Sequence, residues 1–417
     1  MNFPLSAGSS LSHLKSRCFL LALAAALFSL PACAGKVLKE TEAKPAVAAS
    51  EILPTLPMWL GNPARSFYGT GPWSDGPIEV VWEFETKWTS GRLHKDLWGG
   101  SSWPGQPSVD GTRVYFGSAD GYVYCLDRRD GSLIWSFKTE DSLKSTPTIA
   151  GERLIASGLD HYVYCLDVND GSLIWKFKTG FEVDCSAAVI DGRVYFGGED
   201  GFFYCLKLED GSLVYKTERL GSMEGSFPVV DGRLYIGTEQ GDLYCLQISD
   251  GSTVWKARIG ADSDSTPALA NGFVYTAAEN GYVYCFRQSS GELLWKFKAA
   301  GGLSKYYKEK SGFWASPVLA NGRVYIGSNN GYMYCLTADK GELVWRKLMR
   351  APIWGTSPVV ENRVVFGDKA GWIYMLSAED GRHLGELKIG ENINATPAVL
   401  DGRIYIGAFN GKLYCLG

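Results

Sequence analysis

Cysteine has the widest chemical repertoire of any residue type in this chain, because a thiol can bind metals, form disulfides or act as a nucleophile. The sequence contains 10 cysteines. A disulfide needs Cα atoms about 5.5 Å apart, and equivalent sites in separate structural repeats lie too far apart for that. We therefore expect the seven that recur in Tyr-Cys-Leu or Tyr-Cys-Phe units to be inert, buried side chains: Cys125, Cys165, Cys205, Cys245, Cys285, Cys335 and Cys415.

Other residue types that carry catalysis or bind metals do not form a recognisable set. Asp127-x-x-Asp130-Gly131 suggests Ca²⁺ binding, but it lacks the acidic ligand at position 12 of an EF-hand loop and recurs as a turn. The sequence has no Cys-x-x-Cys-His haem motif and no pair of adjacent cysteines. We expect no catalytic residue and no metal site, since the four histidines are scattered: His13, His94, His161 and His383.

The spacing of the Tyr-Cys units reveals how the chain is organised. Successive units are 40 residues apart except for one interval of 50, and Met375 takes the place of the cysteine in an eighth unit. A period of 40 to 45 residues built from short strands is typical of a β-propeller. The sequence therefore predicts an all-β, eight-bladed propeller with four-stranded blades.

One repeat can be divided into its four strands. We predict strands at residues 145–149, 153–157, 162–167 and 172–178, joined by tight turns such as Asn169-Asp170-Gly171. Val163 and Cys165 should point to one side of the sheet, and Tyr164 and Leu166 to the other. Both sides are apolar because a blade packs against a neighbour on each face.

The two ends of the chain predict how the ring closes. The eighth repeat ends at Gly417, after its third strand. Residues 80–86 match residues 173–179, which form the fourth strand of another repeat. We expect the N-terminal strand to complete the last blade and so to remove an open sheet edge.

The tryptophans in these repeats identify a family. The pattern Cys125-Leu126-Asp127, Asp130-Gly131 and Trp135 resembles the tryptophan-docking motif of quinoprotein (PQQ-like) propellers, and residues 59–65 resemble their lead-in segment. The resemblance covers residues 78–417 and implies that one tryptophan of each blade fills the gap to the next blade. The tryptophans in this docking position are Trp82, Trp135, Trp175, Trp255, Trp295 and Trp345, with Tyr215 and Gly385 replacing them in two repeats.

Within this family, the size and the N-terminus of this chain resemble those of the lipoprotein propellers of the outer-membrane β-barrel assembly machinery. That resemblance implies a monomeric, non-catalytic scaffold that binds protein partners. Quinoprotein dehydrogenases share the propeller, but they are longer and place two adjacent cysteines beside the quinone. Because this chain has no such pair, we expect no pyrroloquinoline quinone (PQQ) and no enzymatic activity.

The N-terminus predicts export. Lys15 and Arg17 precede an apolar run at residues 18–30, which is the length of a signal-peptide core. Two cleavage modes stay open: lipidation of Cys33 in a lipobox-like Leu-Pro-Ala-Cys sequence, which we favour, or ordinary cleavage after Ala34. We assign residues 1–33 to the signal peptide, 34–57 to a flexible tether and 58–417 to the propeller. The expected location is the periplasmic side of a bacterial membrane, as an outer-membrane lipoprotein or as a soluble exported protein.

The central channel mouth is the candidate binding site. Its residues begin the innermost strands on the face that also carries two long connections, at residues 87–106 and 299–312. An arc of acids faces an arc of tryptophans, which suits a peptide, a partner loop or a sugar. In the alternative interpretation the tryptophans only plug the channel. The candidate residues are Trp103, Lys144, Asp184, Glu224, Asp264, Trp314, Trp354 and Asn394.

Two classes of function therefore remain, a scaffold for envelope proteins and a module that binds a small molecule or glycan at the channel mouth. An independent PQQ-dependent oxidoreductase is the least favoured alternative. The formal net charge of −4 and the lack of a basic cluster argue against nucleic-acid binding.

Overall fold

Eight antiparallel four-stranded sheets make up the protein in a computed structural model that describes residues 55–87, 105–300 and 312–417. The fold predicted from the sequence, an eight-bladed all-β propeller, is confirmed. Seven blades consist of four consecutive strands each, and the eighth is formed from both ends of the chain. The described part of the chain contains no helix that could span a membrane.

The strands are numbered in chain order. Their bounds are β1 Val80–Glu85, β2 Ser108–Val109, β3 Arg113–Gly117, β4 Tyr122–Asp127, β5 Leu133–Lys138, β6 Thr148–Ala150, β7 Arg153–Ser157, β8 Tyr162–Asp167, β9 Leu173–Lys178, β10 Ala188–Ile190, β11 Arg193–Gly197, β12 Phe203–Lys207, β13 Leu213–Lys216, β14 Val229–Val230, β15 Arg233–Gly237, β16 Asp242–Gln247, β17 Thr253–Arg258, β18 Ala268–Ala270, β19 Phe273–Ala277, β20 Tyr282–Arg287, β21 Leu293–Lys298, β22 Val318–Ala320, β23 Arg323–Gly327, β24 Tyr332–Thr337, β25 Leu343–Leu348, β26 Val359–Val360, β27 Arg363–Gly367, β28 Trp372–Ser377, β29 His383–Lys388, β30 Ala398–Leu400, β31 Arg403–Ala408 and β32 Lys412–Leu416.

The innermost strand of each blade is shorter than the sequence indicated. In the repeat analysed above, β6 begins at Thr148 rather than Ser145. Residues 145–147 lie outside the ladder because they make other hydrogen bonds: the Ser145 hydroxyl bonds to Ser157 of its own blade, and Thr146 and Pro147 bond to adjacent blades. Thr146 is an example: its N–H donates to the Ser186 hydroxyl at 2.9 Å.

Alternate residues of the third strands build two different inter-blade cores, as predicted. Tyr164 and Leu166 pack with residues of the preceding blade, such as Tyr115. Cys165 packs on the other side with residues of the following blade, such as Phe196. All eight cysteines in the described residues are buried and free of disulfides. Burial raises the pKa of the Cys125 and Cys165 thiols to about 12, so they are inert at neutral pH.

Each docking tryptophan lies on a glycine turn of the next blade. The Trp135 indole donates its Nε1–H to the carbonyl of Val168 at 3.1 Å, and its ring covers Gly171. Gly171 has a φ of +73°, and a Cβ at this position would lie 2.5 Å from Trp135 Cε3. The glycine is therefore required twice, by the turn and by the indole. The equivalent glycines under the other aromatic rings are Gly131, Gly211, Gly251, Gly291, Gly341 and Gly381.

The seventh blade has no docking aromatic ring, and other side chains fill the space. Gly385 stands where the tryptophan would be, and the Ile78 side chain lies close to it. Met375, which replaces the repeated cysteine, packs into the same cluster as Ile78. The two departures from the repeat are therefore linked, since the larger methionine and the isoleucine occupy the volume of the missing indole.

The N-terminal strand closes the ring. Strand β1 pairs antiparallel with β32, so that Trp82 lies opposite Cys415. The same tryptophan–cysteine pairing occurs within other blades, for example between Trp135 and Cys125. The closing strand therefore adopts the register of an ordinary fourth strand, and the Trp82 indole docks on Gly131 of the first blade.

The lead-in, taken here as residues 55–79 before β1, lies across the inner strands and plugs the channel. Leu56 exchanges backbone hydrogen bonds with Val109, and the carbonyls of Pro57 and Pro63 accept from the N–H groups of Ile149 and Val229. Leu56 is fully buried, so the predicted tether of residues 34–57 is wrong at its C-terminal end. The rest of the tether, the signal peptide and Cys33 lie outside the described residues.

Arg65 holds the lead-in in place from inside the channel. Its guanidinium is 1% exposed and donates to the carbonyls of Trp59, Ser186, Ala187 and Phe227. Burial lowers the pKa of Arg65 to about 10, and the four carbonyl oxygens satisfy the charged group where water is absent.

The docking glycines give the first prediction. Gly171→Ala is expected to destabilise the protein by about 2–5 kcal/mol, because it adds overpacking against Trp135 to the cost of a positive φ. Gly192→Ala is the control, since Gly192 has a φ of +71° with nothing within 4 Å of its Cβ position; it should cost only about 1–2 kcal/mol. Urea unfolding measures both values, and equal losses would show that the indole contact contributes little.

Closure of the ring gives the second prediction. Deletion of residues 78–86 removes β1 and exposes the edge of β32, so the variant is expected to unfold or aggregate. Size-exclusion chromatography and far-UV circular dichroism distinguish the outcomes. A stable monomeric deletion variant would contradict closure by this strand.

Candidate functional site

A ring of blade-to-blade hydrogen bonds supports the channel mouth. In each case a backbone N–H just before an innermost strand donates to the hydroxyl at the equivalent position of the next blade, over 2.7–3.1 Å. The hydroxyls belong to Thr146, Ser186, Ser226, Thr266, Ser316, Thr356 and Thr396.

Gln106 completes this ring in the first blade. Its backbone N–H donates to Thr146, its side-chain amide donates to the carbonyl of Pro397 at 2.8 Å, and its Oε1 accepts from the N–H of Leu60. The mouth residues precede this ring by two positions and are therefore held at fixed points around the channel. Sequence reasoning missed the ring, although its hydroxyl residues recur with the repeat.

Six of the eight predicted mouth residues line one small cavity of about 40 Å³, whose wall also includes the Trp59 side chain from the lead-in. These six are Lys144, Asp184, Glu224, Asp264, Trp314 and Trp354. Asn394 is instead 1% exposed and stands outside the cavity lining. Trp103 lies outside the described residues.

The tryptophan arc is packed rather than open. The ring centroids of Trp314 and Trp354 are 4.1 Å apart, and Trp354 is only 4% exposed. The Trp314 Nε1–H donates to Glu279 Oε1 at 2.7 Å. The Lys369 ammonium lies 3.2 Å from the centroid of the Trp354 ring, which is a cation–π contact. Trp354 therefore supports the interpretation as a channel plug, whereas Trp314 is partly exposed.

The acidic arc contains more carboxyl groups than the sequence analysis identified. Glu199, Glu239 and Glu279 begin the turns between second and third strands, 40 residues apart, and they join the predicted acids in compact groups. Each group brings carboxylate oxygens within 4.8 Å of one another: Glu182, Asp184 and Glu199; Glu199, Glu224 and Glu239; and Asp262, Asp264 and Glu279. The 40-residue spacing of the three glutamates is the signal that could have revealed them.

One buried ion pair lies within this arc. Lys144 Nζ is 2.6 Å from Asp184 Oδ2. Burial acts to lower the pKa of Lys144, but the adjacent Asp184 carboxylate and the nearby Glu224 raise it above its ordinary value. The lysine is therefore charged throughout the physiological range, and it neutralises part of the arc.

Four other acids of the arc have pKa values raised above their ordinary range. Burial, followed by the charges of Asp264 and Asp184, raises the pKa of Glu224 to about 10. Burial, followed by Asp184, raises the pKa of Glu199 to about 8. Burial raises the pKa of Asp262 to about 6, and burial with the adjacent Asp262 raises that of Asp264 as well. At neutral pH the arc therefore retains protons that a bound cation could replace.

Comparison with known proteins places the chain in a family. The family model described as "Beta-alanine-activating enzyme, beta-propeller" matches residues 150–417, more than half of the chain. The chain belongs to this β-propeller family. The model described as "Outer membrane protein assembly factor BamB" matches residues 79–219. The chain is thus a PQQ-like β-propeller that resembles BamB. No curated protein sequence matches it.

Solved structures share the fold at low sequence identity. BamB from Moraxella catarrhalis is 19% identical, with a TM-score of 0.53 over 76% of this chain and 85% of that chain. A europium-containing methanol dehydrogenase is 15% identical, with a TM-score of 0.73 over 87% and 98%. The quinohemoprotein alcohol dehydrogenase from Comamonas testosteroni is 14% identical, with a TM-score of 0.71 over 87% and 80%. These likenesses establish the fold alone.

The protonated acids give the third prediction. Because the folded state raises the pKa of Glu224 from 4.5 to about 10, the stability that its proton confers is complete below pH 4.5 and is lost as the pH rises toward 10. Glu224→Gln, which cannot ionise, should melt about 2–4 °C above the wild-type protein at pH 9. The two proteins should melt together at pH 4.5.

Thermal unfolding followed by circular dichroism at both pH values measures this difference. The control is Glu209→Gln, because Glu209 is exposed in a turn. A pH-independent difference for Glu224→Gln would contradict the raised pKa of Glu224.

Proposed function

We propose that this protein is a non-catalytic scaffold that binds protein partners on the periplasmic side of the bacterial outer membrane and assists outer-membrane protein assembly, as the name of BamB describes. The observation that carries the proposal is the small size of the cavity that the described residues form at the channel mouth. The lead-in plugs the channel with Arg65, and a cavity of about 40 Å³ remains above Trp59. Such a mouth suits the tip of a partner side chain better than a substrate.

PQQ fits this site poorly, which supports a function that does not use the cofactor. Pockets that bind molecules of this size usually measure about 300–1,000 Å³, far more than the cavity here. PQQ also carries three carboxylates, and the Lys144 ammonium that lines the cavity is already paired with Asp184. The residues at the mouth do not fit the quinone, and we propose no redox step.

Binding of a glycan is the second candidate function. The partly exposed Trp314 beside the Glu279 carboxylate combines an aromatic face with a hydrogen-bond acceptor, as sugar-binding sites do. This function requires room for a sugar ring, which the small cavity does not supply. We therefore prefer the protein scaffold.

Membrane attachment through Cys33 completes the proposal. A lipid on this cysteine would hold the propeller near the membrane surface, where assembly partners are found. The propeller itself would act as a monomer, because its ring is closed by its own N-terminal strand and leaves no blade to be completed by a second copy.

The fourth prediction concerns the partners. Affinity capture of the tagged full chain from detergent-solubilised envelopes of its source cells is expected to recover components of the outer-membrane protein assembly machinery, identified by mass spectrometry. Trp314→Ala/Glu239→Lys alters the mouth and should reduce their recovery at least fivefold. Ile174→Ala/Glu152→Lys is the matched control on exposed positions of the second blade and should leave recovery unchanged.

Circular dichroism must show that both variants fold before their capture is compared. If the wild-type chain recovers no assembly component, the scaffold proposal is wrong, and soluble glycans become the ligands to test.

A further inference from the structure

Among the described residues, several carboxyl groups of the acidic arc have no ion-pair partner. Eight carboxyl-bearing residues lie in the three compact groups described above. Within the described residues, Lys144 pairs with Asp184, but Glu199, Glu224, Asp262 and Asp264 form no ion pair. Partly buried carboxyl groups without a counter-charge destabilise a fold, so their retention at a cavity needs an explanation.

A buried acceptor in the cavity wall indicates where a cation would bind. Asp184 is 9% exposed, and although its Oδ2 accepts from Lys144, its Oδ1 has no hydrogen-bond partner among the described residues. Asp264 Oδ1 is likewise buried without a partner in this part of the chain. Both side chains line the same cavity. Two unsatisfied acceptors at one cavity are suited to a donor supplied from outside.

The two walls of the mouth already bind ammonium groups of the protein. Lys144 forms an ion pair with Asp184 on the acidic side, and Lys369 lies over the Trp354 ring on the aromatic side. A carboxylate wall that faces an aromatic wall is a favourable environment for an organic cation, which gains both charge pairing and cation–π attraction. A hydrated metal ion would gain chiefly from the carboxylates.

We propose that the mouth binds a single lysine or arginine side chain presented by an extended segment of the protein partner. The inference rests on the scaffold function proposed above and specifies the chemistry of the partner. The head group enters the cavity of about 40 Å³ and donates to Asp184 Oδ1 and to the carboxyl groups of Glu224 and Asp264. Binding displaces protons from the arc, so its affinity rises with pH.

The test uses the full chain and defined probes in isothermal titration calorimetry at low ionic strength. The probe is the blocked peptide acetyl-Gly-Ser-Arg-Ser-Gly-amide, and its counterpart carries Gln in place of Arg. The Arg peptide should bind and the Gln peptide should not. Glu224→Gln/Asp264→Asn should weaken binding of the Arg peptide at least tenfold, whereas the exposed control pair Glu152→Gln/Asp191→Asn, with the same change in charge, should not.

A parallel titration with CaCl₂ distinguishes the other cation class. If CaCl₂ binds to the wild-type chain and not to Glu224→Gln/Asp264→Asn, while the Arg peptide fails to bind, the site is a metal site and the proposal is overturned. The proposal is also overturned if neither the Arg peptide nor CaCl₂ binds to the wild-type chain. If Glu224→Gln/Asp264→Asn still captures assembly components from envelopes, this inference fails while the scaffold function stands.

Discussion

The contact between the aromatic ring of one blade and the glycine turn of the next determines the geometry of the whole ring. In most blades the indole packs in the gap, its N–H donates to a backbone carbonyl of the next blade, and the glycine allows the close approach. Closer to the axis, a backbone N–H of one blade donates to a hydroxyl of the next blade, so that neighbouring blades are also joined by hydrogen bonds. Together these two sets of contacts hold neighbouring blades at a regular spacing. The residues at the channel mouth are therefore held at regular positions around the axis.

This arrangement separates the residues that build the fold from those that give the mouth its chemistry. The docking position carries an aromatic ring in seven of the eight blades, because each must satisfy the same contact. The positions at the mouth vary from lysine to acid to tryptophan, since the hydrogen bonds between blades are made two residues further along and do not involve the mouth side chains. The result is an asymmetric site on a nearly symmetric scaffold, with acids from the third to fifth blades facing tryptophans of the sixth and seventh.

The repeat made the fold predictable from sequence, whereas the site was predictable only in part. The period, the closing strand and the role of Trp135 follow from local patterns that recur. Glu199, Glu239 and Glu279 were not predicted, because they lie in the turns between second and third strands and reach the mouth only through the fold, although they recur at the same spacing. The positions of Trp59 and Arg65 inside the channel were not predicted, because hydrogen bonds between the lead-in and seven different blades leave no periodic signal. Neither Cys33 nor Trp103 lies in the described residues, so their roles stay predictions.

The proposed scaffold function requires that partners meet this protein at the channel mouth and not at the exposed outer strands. Site-specific photocrosslinking in intact cells tests it directly, with a photoreactive amino acid at position 239 on the mouth or at position 174 on an outer strand, where Ile174 is 42% exposed. We expect position 239 to crosslink to outer-membrane assembly components and position 174 to give none. Crosslinks from position 174 alone would contradict the claim and would place the interface on the outer edge of the blades.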